Sequence, residues 1–105
     1  PESLLLEIDG ELGSDDDQEY DSYFDDVPFQ GTAGQEVTIR VISPDFDTVL
    51  YLEDPDGNEI DYNDDAGQST DSMIRTTLPV GGVYRIIVSS YSSYSTGAYR
   101  LTVTE

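Results

Sequence analysis

The sequence predicts an all-β protein: an antiparallel β-sandwich, jelly-roll-like, of about eight strands. Three observations carry this. Short alternations of apolar and polar residues recur along the chain, separated by Gly, Pro, Asp and Asn, which is how strands and turns are written. No stretch holds a helical period that competes with them. All four arginines, Arg40, Arg75, Arg85 and Arg100, take the parity opposite the apolar stripe of their own strand. One register then suits every strand, whereas a slip of one residue would bury a guanidinium.

The elements follow in order. Leu4 to Leu12 is mostly apolar and starts a strand, and Gly13 to Asp21 reads as an acidic loop. Asp26 to Gly31 sets Val27 and Phe29 on one parity, and Glu36 to Ser43 alternates Val37, Ile39 and Val41 against Thr38, Arg40 and Ile42. The stretch from Ser43 to Asp65 is the centre of the pattern. Phe46, Thr48, Leu50 and Leu52 share a parity, and therefore a strand face. Asp54-Pro55-Asp56-Gly57-Asn58 has turn chemistry, because proline presets a negative φ and glycine accepts a positive one. Asp45-Phe46-Asp47 opens this unit and Asn63-Asp64-Asp65 closes it. Ile74 and Leu78 are in phase over Ser72 to Leu78; Tyr84, Ile86 and Val88 over Val83 to Ser89; and Tyr99, Leu101 and Val103 over Gly97 to Thr104. Phe29, Val37, Ile39, Val41, Phe46, Leu50, Leu52, Ile74, Leu78, Tyr84, Ile86, Val88, Tyr99, Leu101 and Val103 form the expected core. Sandwich packing needs one such apolar face from each sheet.

With 105 residues the chain is expected to be a single domain over its whole length, 1–105, and a piece excised from a longer polypeptide. Twenty-three Asp and Glu stand against four Arg, with no Lys or His, for a formal charge of −19. That surface disfavours nucleic acid, whose phosphates need a basic face. No apolar run is long enough to insert in a membrane as a helix. An isolated domain of this charge is expected to be monomeric. The acidity has two explanations: divalent-cation binding through clustered oxygen ligands, or a solvated surface of the kind found in salt-adapted proteins. The absence of Lys favours the second.

These residues resemble the bacterial pre-peptidase C-terminal domain family, from about Gly10 to Val103. The resemblance begins with Tyr23-Phe24-Asp25-Asp26-Val27-Pro28-Phe29-Gln30-Gly31-Thr32-Ala33-Gly34-Gln35, although the family usually has an aromatic where Val27 stands. It continues through Val37-Thr38-Ile39, Ser43, Phe46-Asp47, Leu50 and Leu52, then Asp54-Pro55-Asp56-Gly57 and Asn63-Asp64-Asp65. Ser72, Ile74, Leu78-Pro79, Gly82, Tyr84 and Gly97-Ala98-Tyr99 complete it. Each piece is weak alone, and their order and spacing make the match specific. The resemblance implies a secreted or cell-surface location and a sandwich without catalysis of its own. Such a domain helps to bind substrate, anchors its parent peptidase, or is removed in maturation. The chain also looks like the collagen-binding domains of clostridial collagenases, which bind calcium partly through an acidic segment before the first strand. Only Pro1-Glu2-Ser3 precedes Leu4 here, so that part of the site is expected to be missing or to have been trimmed.

Catalysis is poorly supplied. Without His, Cys or Lys there is no nucleophile–base pair of the Ser-His or Cys-His kind, and two carboxylates among twenty-three are no signal of glycoside hydrolysis. Calcium is the one candidate cofactor. The first-choice ligands are Asp15, Asp16, Asp17 and Asp21. Asn63, Asp64, Asp65 and Asp71 are the second choice, and there the plainer role is side-chain capping of turns. Asp61, Asn63 and Asp65 begin like an EF-hand loop, but Ala66 and Ser72 fall where it needs Gly and Glu. For ligand binding the candidates are Tyr51 and Tyr62 on the outward side of the central hairpin and Tyr91 and Tyr94 in the Ser/Tyr loop. Exposed tyrosines pack on a protein chain or a sugar at little entropic cost. The expected function is a non-catalytic accessory module, of a peptidase first of all, binding a protein substrate or partner and calcium. The alternatives are a carbohydrate-binding module, or a maturation or stability element without a ligand.

Overall fold

A computed structural model describes residues 4–13, 17–19, 22–63, 71–90 and 96–105. Nine strands form among the described residues: β1 (Leu4–Leu12), β2 (Asp17–Glu19), β3 (Ser22–Gly31), β4 (Glu36–Ile42), β5 (Thr48–Glu53), β6 (Glu59–Asn63), β7 (Ser72–Thr77), β8 (Gly82–Ser90) and β9 (Gly97–Thr104). They make two antiparallel sheets, one of four strands in the order β1-β9-β4-β7 and one of five in the order β2-β3-β8-β5-β6. The extra strand relative to the sequence prediction is β2, inside the stretch expected to be loop. Three residues are too short to display a period, and β2 exists through its pairing with β3, Asp17 opposite Phe24 and Glu19 opposite Ser22.

The alternation places the core as expected. Every residue of the expected core is buried, with Phe29 the most exposed at 8%, and Leu12, Val27 and Val49 join the buried set. All four arginines are exposed. Phe46 is buried at 7%, but it lies in the connection before β5 rather than in the strand. Ser43 holds it there: its hydroxyl accepts from the amides of Asp45 (3.0 Å) and Phe46 (3.3 Å) and donates to the Ala98 carbonyl (2.7 Å). The Asp45 carboxylate completes the latch by accepting from the Ala98 amide at 2.9 Å. Gly97 makes the approach feasible. Its φ is 142°, and a Cβ there would overlap the Asp45 side chain.

The turn expected at 54–58 is present. Gly57 has φ 88° and its amide donates to the Asp54 carbonyl at 2.9 Å. Asp54 Oδ1 accepts from the amides of Asp56 and Asn58. This turn closes the β5–β6 hairpin, so the acidic flank 45–47 and Asn63, the last residue of β6, belong to the opposite end of the sandwich. Register brings further strand ends to that end: Leu12 opposite Gly97, Ile42 opposite Arg100, Ser72 opposite Val41, and Ser90 opposite Thr48. The connections β1–β2, β4–β5, β6–β7 and β8–β9 all leave from it, each passing from one sheet to the other.

Candidate functional site

Two regions merit the description of a site: this acidic end and the outer face of the five-stranded sheet. Of the acidic-end candidates, Asp15, Asp16 and Asp21 lie outside the described residues, as do Asp64 and Asp65, and Asp17 is placed only as the first residue of β2. Asn63 and Asp71 are described. Asn63 Oδ1 accepts from the Met73 amide at 3.3 Å, which ties the end of β6 to β7 in the other sheet. Asp71 precedes Ser72, whose hydroxyl hydrogen-bonds Thr48 Oγ1 and the Thr48 carbonyl, each at 2.8 Å. Asn63 thus does the capping work that competes with metal ligation. Among the described residues no group of three or more acidic side chains converges as a metal site requires. The described part of this end therefore does not by itself make up a calcium donor set.

The outer face of the five-stranded sheet is described across β3, β8, β5 and β6. Directly opposed residues in antiparallel strands point to the same side. One lateral row on the outside reads Asp26, Ile87, Tyr51, Tyr62 across β3, β8, β5 and β6. The next row reads Pro28, Arg85, Glu53, Glu59. Tyr51 and Tyr62 stack, with ring centroids 5.5 Å apart and planes at 24°. Tyr62, on the edge strand β6, is 50% exposed. Arg85 is held between two carboxylates, paired with Asp26 and with Glu53 at 3.5 Å. Val83, 50% exposed, lies beyond Arg85 on the same face of β8. The two aromatic candidates that are described thus meet in one platform; Tyr91 and Tyr94 lie outside the described residues. The sequence reading missed Ile87, which is out of phase with the β8 core stripe and so reads as an isolated surface apolar. Its place beside Tyr51 follows only from the β5–β8 register.

The outer face of the four-stranded sheet differs. It carries Arg40, Arg75 and Arg100 among Thr38, Thr102 and Thr104 and no stacked aromatic pair among the described residues. Arg100 donates to Asp9 Oδ1 at 2.8 Å, and that bond, with the charges of Asp9 and then Glu7, raises the guanidinium pKa further. A groove of about 510 Å³ beside this sheet is walled by polar residues including Glu36, Thr38, Arg75 and Glu105. Val37 is the one apolar residue in its described lining, whereas small-molecule sites are lined mainly by apolar and aromatic side chains.

Two antiparallel sheets, one of them carrying a solvent-facing aromatic pair, define a β-sandwich module. The chain belongs to the bacterial pre-peptidase C-terminal domain family, whose model matches residues 23–90. A solved structure, the pre-peptidase C-terminal domain of a collagenase from Bacillus anthracis, superposes with a TM-score of 0.72 at 20% identity, covering 93% of this chain and 87% of that one. That likeness is one of fold. No curated protein matches the chain.

Proposed function

We propose that this domain is a non-catalytic accessory module of a secreted or cell-surface protein, a peptidase first of all, and that it binds a protein substrate or partner through the outer face of its five-stranded sheet. The stacked Tyr51–Tyr62 pair, in one row with Ile87, carries this reading. Buried tyrosines in this fold serve the core, as Tyr84 does at 0% exposure. A stacked pair on an outer face serves no core, and it offers broad, rigid, amphipathic contact area. Membership of the pre-peptidase C-terminal family supports the accessory role, the extracellular location and attachment to a peptidase. The composition supports the lack of catalysis, since no His, Cys or Lys is present to act as base or nucleophile.

Calcium belongs to the same proposal as a structural ligand. Asp15, Asp16, Asp17 and Asp21 would hold it, where the first connection leaves the acidic end. Bound there, it would offset repulsion among the carboxylates of that end.

Titration of the domain with triple-helical collagen-like peptides and with soluble glycans tests the binding role. A protein-binding module answers the peptides and loses that response in Tyr62→Ala. A response to glycans alone would make the platform a sugar-stacking surface. Silence toward both would leave a maturation or stability element.

A further inference from the structure

We infer that the outer face of the five-stranded sheet takes an extended peptide segment bearing arginine or lysine, with one cationic side chain seated between Glu59 and the Tyr62 ring. The inference rests on the proposal that this face is the protein-binding surface. It starts from a local conflict. Glu53 and Glu59 are directly opposed across β5 and β6. Like charges at opposed positions destabilise a sheet. Glu53 has Arg85 at 3.5 Å, while Glu59 is exposed and makes no ion pair with an arginine among the described residues.

Next to this pair, on the same side of the sheet, stands the exposed ring of Tyr62. The π-face of an aromatic ring is negative and attracts a cation within about 6 Å of its centroid. The one cation already on this face is neutralised, since Arg85 is shared between Asp26 and Glu53. General acidity is not the argument, for it covers the whole chain. What singles out this spot is an unrelieved opposed glutamate beside a ring, with an apolar row next to it. Alternate side chains of an extended segment lie about 7 Å apart, and neighbouring strands about 4.8 Å. In a segment that crosses the strands, a cationic side chain on Glu59 and Tyr62 therefore sets the residue two positions along over the Tyr51–Ile87 part of the row, where an apolar side chain fits. The formal charge of −19 adds steering toward cationic segments.

The test is amide chemical-shift titration in about 0.5 M NaCl, where the general field is screened to a few ångströms. The probes are a short peptide alternating Arg with Val and Ser, and the same peptide with neutral citrulline in place of Arg. The Arg peptide is expected to bind about fivefold tighter, the size of an exposed ion pair and cation–π contact acting together. Glu59→Gln should lower that preference to about twofold, the share of the ring. Glu36→Gln, the same change of charge on the other sheet, should leave it. Equal binding of both peptides, still dependent on Tyr62, would overturn the cationic preference and leave the face itself standing. A preference undiminished by Glu59→Gln, or one that falls equally with Glu36→Gln, would also overturn it. Neither peptide shifting the amides of Tyr51, Tyr62 or Ile87 would overturn the inference and count against the proposed face.

Discussion

The phenol of Tyr99 donates a 2.6 Å hydrogen bond to Asp25 Oδ2, and so joins the four-stranded sheet to the five-stranded one. Asp25 shares a lateral row with Val88, Leu50 and Asn63. The two central residues fill the core, and the two outer ones reach across it: Asp25 to Tyr99, Asn63 to the Met73 amide. The end of the sandwich that carries the acidic connections is thus pinned at both margins. Gly10 is part of the arrangement, because a Cβ there would stand 2.5 Å from the Tyr99 ring.

Tyr99→Phe removes this donor and keeps the ring. It should cost about 1–3 kcal/mol, the range for removing a partner from a carboxylate hydrogen bond away from bulk water. Urea unfolding checks it. A midpoint within error of the parent protein would mean that solvent replaces the bond without loss.

Gly97→Ala confronts Asp45 and an unfavourable φ together, and should destabilise by about 1–3 kcal/mol. Gly13→Ala meets open space and should stay within about 0.5 kcal/mol. Equal effects at the two sites would remove the latch from the account.

Phe46→Ala should cost about 3–5 kcal/mol, the usual loss for a buried aromatic. The side chain is 7% exposed although its backbone lies outside β5. Thermal or urea unfolding close to that of the parent protein would show that the connection, and not the core, holds this ring.

These three sites also mark how far the sequence could be read. The core was legible because alternation is a property of neighbours along the chain: Val37, Ile39 and Val41 declare their face without reference to any other strand. The outward arginines confirmed the phase. Tyr51 and Tyr62 could be set outside by the same parity, but their stacking depends on a hairpin register that the bulge between Leu52 and Glu53 shifts. Asp25, Asn63 and Asp45 could not be told from the other acids and amides. Each has a partner more than nine residues away or in the opposite sheet, and composition carries no trace of such pairings. Val49 has outward parity and yet is 4% exposed, which no periodicity foretells.

Calcium is tested by melting temperature. If Asp15, Asp16, Asp17 and Asp21 form a site, about 1 mM Ca²⁺ should raise Tm in 0.15 M salt, since extracellular calcium modules bind in roughly the 10⁻⁴–10⁻³ M range. Mg²⁺ should do less, because it gives up water reluctantly. Asp17→Asn with Asp21→Asn should abolish the increment, and Asp56→Asn should not. Equal effects of both ions, reproduced by NaCl, would reduce the effect to screening.

The most direct test of the proposed function is an amide shift map of the labelled domain titrated with a triple-helical collagen-like peptide. Shifts are expected to concentrate on the row Asp26, Ile87, Tyr51 and Tyr62 and to spread to Val83 and Glu53, with Thr38, Arg40 and Arg75 on the other sheet silent. Tyr62→Ala, with Tm unchanged within a few degrees, should weaken binding by about tenfold or more, as loss of an aromatic anchor does. Shifts centred on the four-stranded sheet, or a Tyr62→Ala variant that binds like the parent, would contradict it.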